Sequence, residues 1–261
     1  MFSTLLINYN AATMEKLIAE LRRLYLPDSQ HPVTAALEDH LRAETTLAID
    51  LATNTGAARA LVLDFPRAAD DLHWTRLCDV ANALQQELKL PAPAVSVNGG
   101  NHFSLWLSFA QPVPLARLHQ FHAMLHQAYF ADQEVILGAT KVEVPPCLHR
   151  ATGLWAAFIN PAMGASLAED LGLDMPPPVS AQAAFLQGLD SITDEDFARA
   201  FERLHKQQAT PAAPVPPIEA PAPAAAPHGS ALLLQDATLE DIVRELHRRH
   251  IEPTLRHLLP R

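Results

Sequence analysis

Between Ala94 and Phe109 the chain reads AVSVNGGNHFSLWLSF, two apolar runs hinged on Gly99-Gly100. β-prone runs joined by a glycine turn form an antiparallel hairpin. The hairpin is flanked by helical periodicity, so the flanks must pack on whatever sheet it starts. Upstream, DDLHWTRLCDVANALQQELKL is an amphipathic helix with an acidic first turn, ended by Pro91 and Pro93. Downstream, PLARLHQFHAMLHQAYF is again helical. Nearer the start, MEKLIAELRRLYL places Leu17, Ile18, Leu21 and Leu24 on one helix face, and PVTAALEDHLRA reads as a second helix. TTLAIDLATNTGAARALVLDF predicts a further hairpin around Asn54-Thr55-Gly56. EVILGATKVEV predicts one or two strands halted by Pro145 and Pro146, GLWAAFIN another, and the chain is then helical to about Gln208. The pattern is an α+β domain over 1–208, with N-terminal helices over about 1–43 and a mixed or antiparallel sheet.

Residues 209–229, ATPAAPVPPIEAPAPAAAPHG, are dominated by proline and alanine and predict an extended linker. Beyond it, 230–261 carries Leu239, Ile242, Val243 and Leu246 at helical spacing. A helix this short needs a surface to dock on, either its own domain or a protein partner. The formal net charge is −10, with the acidity mostly in 151–230, which argues against a broad basic surface for polyanions. No apolar run approaches the roughly 20 residues of a membrane span. The first residues lack the basic flank of a secretory signal, and two cysteines, Cys78 and Cys147, make no disulfide framework. A cytoplasmic setting is expected.

Three separated segments offer polar groups beside apolar strand. LVLDFPR carries Asp64 out of a buried run; SVNGGNHFSLW carries Ser96, Asn98 and His102 around the glycines; TKVEVPP carries Lys141 and Glu143, two apart and so on one strand face. Each has an ordinary reading. Asp64 before Phe65-Pro66 is also turn chemistry, His102 suits a half-buried sheet histidine, and Glu143 suits the solvent side of an alternating strand.

Taken in order, LVLDF, SVNGGNHFSLWLSF and KVEVPP followed by GLWAAFINPAMG resemble the archaeo-eukaryotic primase superfamily, in particular primase-polymerase domains of mobile elements. The resemblance spans roughly Ala60 to Gly164. It implies nucleotidyl transfer assisted by Mg²⁺ or Mn²⁺, with nucleotides and nucleic acid as partners. On the matching positions, Asp64 and Glu143 would hold metal and His102 would contact the triphosphate. Ser96, Asn98, Gly99, Gly100, Lys141 and Arg150 would surround the nucleotide.

The first motif departs from the family pattern. Where the family has a second acid two residues after the first, this chain has Pro66. Asp50 on the partner strand of the first hairpin could substitute, if a three-residue loop sets the register. Asp70 and Asp71 read as helix-capping residues. The departure keeps open a second reading: a catalytically inactive primase-like module, tethered through its C-terminal helix to a replication or defence assembly. His119, His122 and His126 lie on one helix and could chelate zinc with Cys147 and His149, but a solvent-facing histidine stripe accounts for them.

Overall fold

The computed structural model describes residues 2–26, 34–131, 135–138, 140–167, 169 and 171–209, with backbone alone for 2–10, 34, 208 and 209. Beyond Ala209, the linker and tail read from the sequence lie outside the described residues.

The Gly99-Gly100 hairpin forms as read, joining β3 (Ala94–Val97) to β4 (His102–Pro114). Val97 pairs with Phe103, Ser96 with Ser104, Val95 with Leu105 and Ala94 with Trp106. Gly99 takes φ +74°, and an added Cβ would stand 2.8 Å from His149 Cβ and 2.9 Å from Leu154 O. Both backbone conformation and space therefore demand glycine there. On the other side of β4 runs β2 (Ala57–Pro66), with Asp64 opposite Ser104 and Pro66 opposite His102. β5 (Ile136–Leu137) extends the sheet beyond β2, while β8 (Trp155–Ile159) and β7 (Cys147–Leu148) extend it beyond β3. The strand order is β5-β2-β4-β3-β8-β7, and every pairing is antiparallel.

The pleat divides the sheet into two faces. Leu61, Leu63, Phe65, Phe103, Leu105, Leu107, Val95, Val97, Ala157 and Ile159 point into one core. That core is completed by α3 (Leu72–Asn82), α4 (Leu115–Tyr129) and α6 (Asp194–Ala209), through Leu77, Leu118, Phe121, Leu125, Phe197 and Leu204. On the opposite face, Ala60, Val62, Ala94, Trp106 and Phe158 meet α1 (Phe2–Leu24), α2 (Thr34–Leu41) and α5 (Val179–Gln187). Leu17, Ile18, Leu21 and Leu24, the stripe read from the sequence, are all buried there. Tyr25 stacks on Phe158 with centroids 5.7 Å apart and tilts against Trp106 at 5.1 Å. Gln182 of α5 serves β8 as a surrogate strand, accepting from Phe158 N and donating to Phe158 O, each at 2.9 Å.

The first expected hairpin is only a turn. Thr53 and Ala57 close it, and Ala52 bridges Ala58, but β1 (Ala48–Asp50) pairs with β6 (Lys141–Glu143) in a separate two-stranded ribbon. Asp50 Oδ1 accepts the Ala52 N–H at 3.0 Å, bending the chain between the two strands, and Leu51 N donates to Thr140 O. Ile49 and Leu51 are thereby buried in the second core.

One residue unremarked in the sequence pins this ribbon. His40 of α2 is 1% exposed. Its Nδ1 accepts the Leu47 N–H and its Nε2 lies 3.0 Å from Val144 O, so the ring is neutral with its proton on Nε2. Burial lowers its pKa against the opposing pull of Val144 O and the Glu143 charge. The unfolded chain therefore binds more protons than the folded one between the folded pKa and the ordinary value of about 6.5, and stability falls as pH drops through that window. The melting temperature should decline between pH 7.5 and 5, and decline less steeply in His40→Gln. His40→Ala should lose about 1–3 kcal/mol in urea denaturation at neutral pH, since it orphans the buried Val144 carbonyl and the part-buried Leu47 N–H.

Candidate functional site

The second core covers only part of its sheet face. Where α1 and α5 stop, the same pleat presents Asp64, Ser104, Ser96 and His102, which form the floor of a cleft of about 310 Å³. Asp64, Ser104 and Ser96 stand in one row across β2, β4 and β3. Ser104 Oγ donates to Asp64 Oδ1 at 2.7 Å. Trp106, one pleat further along β4, donates its indole N–H to Ser96 Oγ at 2.8 Å. Gly138, beyond β5, passes so close that a Cβ on it would lie 3.2 Å from Asp64 Oδ2 and 3.0 Å from Val62 O. Its lack of a side chain makes room for the carboxylate.

The hairpin turn orients His102. Asn98 Oδ1 accepts from Gly100 N at 2.9 Å and His102 N at 3.1 Å, so Asn98 Nδ2 is the donor to His102 Nδ1 at 2.9 Å. With Nδ1 accepting, the ring proton sits on Nε2, 3.6 Å from Asp64 Oδ1. Asn101 Oδ1, 3.1 Å from the same Nδ1, can accept only from a ring protonated at that nitrogen. Burial lowers the His102 pKa, the Asp64 charge works against that, and neighbouring His149 lowers it further. A neutral imidazole donating from Nε2 is the favoured state.

The rest of the lining comes from β6 and the segment after it. Lys141 and Glu143 both line the cleft, as their two-residue spacing required, with Pro145, Cys147 and His149 beside them. Cys147 is a buried thiol pushed up to about 12 by burial and by the Glu143 charge, which makes it a packing residue rather than a nucleophile. Three remote segments thus meet in one cleft, bringing together Asp64, Ser96, Asn98, His102, Lys141 and Glu143.

Other expected residues lie elsewhere. Asp50 stands opposite Lys141 in the ribbon, but it does not line the cleft and its carboxylate serves Ala52 N. Arg150 turns away, donating to Ala43 O at 2.6 Å and Thr46 Oγ1 at 3.2 Å, and ties the β7–β8 turn to the end of α2. Asp71, at the start of α3, makes no capping hydrogen bond, and both Asp70 and Asp71 have φ +53°. Of the α4 histidines only His119 faces solvent fully; His122 and His126 are half-buried, with rings 6.2 Å apart. Ser104 and Trp106 were not read as site residues, and His149 was read only as a possible zinc ligand. The first two had a signal: in HFSLW, alternation puts His102, Ser104 and Trp106 on one face.

Among the described residues no three Asp, Glu, His or Cys side chains gather closely enough to ligate one ion. Mg²⁺ can be held by one or two carboxylates when substrate phosphates and water complete its shell. Asp64 and Glu143, both lining the cleft, fit an ion that arrives with a triphosphate, and do not fit a preformed two-ion centre.

No protein-family model matches the sequence, and no curated protein matches it. Among solved structures, the chain is similar to the primase-polymerase domain of cyanophage S-2L, at 14% identity and TM-score 0.27, covering 54% of this chain and 68% of that one. It is also similar to the polymerase domain of Mycobacterium tuberculosis ligase D in complex with DNA, at 17% identity and TM-score 0.33, covering 62% of this chain and 58% of that one.

Ser96→Ala should orphan the indole N–H of Trp106, which is only 3% exposed. The expected loss is about 1–3 kcal/mol in urea denaturation. A neutral result would mean that this bond does not hold the floor.

Proposed function

We propose that the cleft binds a nucleoside triphosphate and that the chain is a primase-polymerase-like nucleotidyltransferase acting on nucleic acid, in replication of a mobile element. One observation carries the reading. The acid, the histidine and the second acid of three remote motif-like segments line a single cleft in which a lysine also sits. The His102 Nε2–H is a donor suited to a phosphate oxygen, and Lys141 offers positive charge in the same cleft. The Gly99-Gly100 turn lets backbone approach a ligand closely.

In such a reaction a strand's 3′-hydroxyl attacks the α-phosphate and pyrophosphate leaves. A divalent ion, Mg²⁺ or Mn²⁺, would neutralise charge on the phosphates. Asp64 and Glu143 would hold it, with Ser104 fixing the Asp64 carboxylate through its hydrogen bond. The tail at 230–261 would join the domain to a protein partner.

A second reading, nucleotide binding without transfer, draws on Pro66. That residue pairs with His102 at the end of β2, where the family pattern has a carboxylate. Losing a ligand leaves less charge to hold two cations.

Primer extension with labelled nucleotides and Mn²⁺ separates the readings. Transfer predicts extension that falls by about 100-fold or more in Asp64→Ala and Glu143→Ala. Nucleotide binding with no extension in the parent chain would leave the second reading. Extension untouched by either substitution would place the chemistry elsewhere.

A further inference from the structure

We propose that His149 is a specificity-determining residue of the cleft, accepting a hydrogen bond from a sugar hydroxyl of the bound nucleotide. This rests on the nucleotide reading above and adds a residue outside the motifs that led to it.

The inference comes from the bonding of Thr152. Its hydroxyl has one proton and four neighbours: Gly99 O at 2.5 Å, His149 Nδ1 at 2.8 Å, Leu154 N at 3.2 Å and His149 O at 3.5 Å. Two oxygens at 2.5 Å need a proton between them, so the hydroxyl donates to Gly99 O. Its lone pairs then accept from Leu154 N–H and from His149 Nδ1. The neutral His149 ring therefore carries its proton on Nδ1, leaving Nε2 as an unprotonated acceptor.

That is the opposite tautomer to His102, across the same glycine turn. The edge of the His149 ring lies against Gly100, where an added Cβ would meet both Cε1 and Nε2 at 3.2 Å. His149 also lines the cleft and lies near enough to His102 to lower its pKa. The cleft thus presents one imidazole that donates and one that accepts.

A triphosphate is an array of acceptors and is served by His102 Nε2–H and Lys141. The His149 Nε2 lone pair repels phosphate oxygen and requires a donor. On a nucleotide the donors are the sugar hydroxyls and the base N–H and amino groups. An α-phosphate held at His102 would set the sugar one link away, and His149 is the neighbouring histidine, packed against the glycine turn from the β7–β8 turn. The hydroxyl is therefore the donor we assign. Thr152 is a positioning residue that sets the tautomer without facing the ligand.

The test is binding of ATP, 2′-deoxyATP, 3′-deoxyATP and inosine triphosphate to the full chain with Mn²⁺ at about pH 8, by calorimetry. Loss of one neutral hydrogen bond is worth roughly 3- to 10-fold in affinity. The parent chain should bind one of the two deoxy nucleotides that much more weakly than ATP. His149→Phe keeps a ring but has no acceptor, and should bind all of them at the weaker level. Thr152→Val should lose the preference in part, and Thr152→Ser should retain it. Should His149→Phe fail to fold by melting and circular dichroism, the Thr152 pair decides the question alone. A parent chain indifferent to both hydroxyls overturns the proposal, as does a His149→Phe variant that keeps the preference. A selectivity that follows the base amino group, ATP against inosine triphosphate, overturns it too. If the parent chain binds no nucleotide at all, the nucleotide reading fails and takes the proposal with it.

Discussion

A row of polar side chains crosses the centre of a sheet that is otherwise built to be buried. Asp64, Ser104 and Ser96 occupy equivalent places on three neighbouring strands, and the pairing of β2 with β4 and of β4 with β3 puts them side by side. Had either pairing slipped by one residue, the row would have been driven into the core against α3, α4 and α6. Buried polar groups are tolerated where each finds a partner. Here Ser104 donates to Asp64, and Ser96 accepts from Trp106, which is itself locked among Tyr25 and Phe158. The site is thus welded to the packing beside it, and the same register that completes the core fixes the position of the carboxylate.

The two cores divide the labour. One covers its sheet face with three helices and makes a rigid back. The other stops partway, where α1 and α5 cover Trp106 and Phe158 but leave His102 and Asp64 to the cleft. Beside the cleft lies a two-stranded ribbon that could not stand in water alone. Its apolar side is buried through Ile49, Leu51 and Val144, and His40 bonds it to α2. A buried structural histidine therefore governs the wall that carries Lys141 and Glu143, although it never faces the cleft.

Much of this was legible from residues. The glycine hinge announced the β3–β4 hairpin, the periodicity of Leu17, Ile18, Leu21 and Leu24 announced the inner face of α1, and alternation placed Lys141 and Glu143 together. The first hairpin was misjudged because apolar runs on either side of a turn look the same whether the strands pair with each other or part. Here a side-chain bond at Asp50 and the partnership with β6 drew them apart. Arg150 shows the same limit: a cation near a motif can belong to a neighbouring loop, and Ala43 and Thr46 had no signature that would reveal the claim.

By itself the sequence determined the alternation of strands and helices, the α+β class, the places where turns must fall, and the side-chain types available for chemistry. These follow from local sterics and periodicity, which act over a few residues. Tertiary structure alone decided that β1 leaves β2 for β6, that Asp64 and Glu143 line one cleft while Asp50 stands aside, and that His102 and His149 hold opposite tautomers. Each of those outcomes depends on hydrogen bonds and packing between residues up to about a hundred positions apart, such as His40 with Val144. Local pattern carries no record of such distant partners, because the free energy that selects them arises only once the sheet has closed.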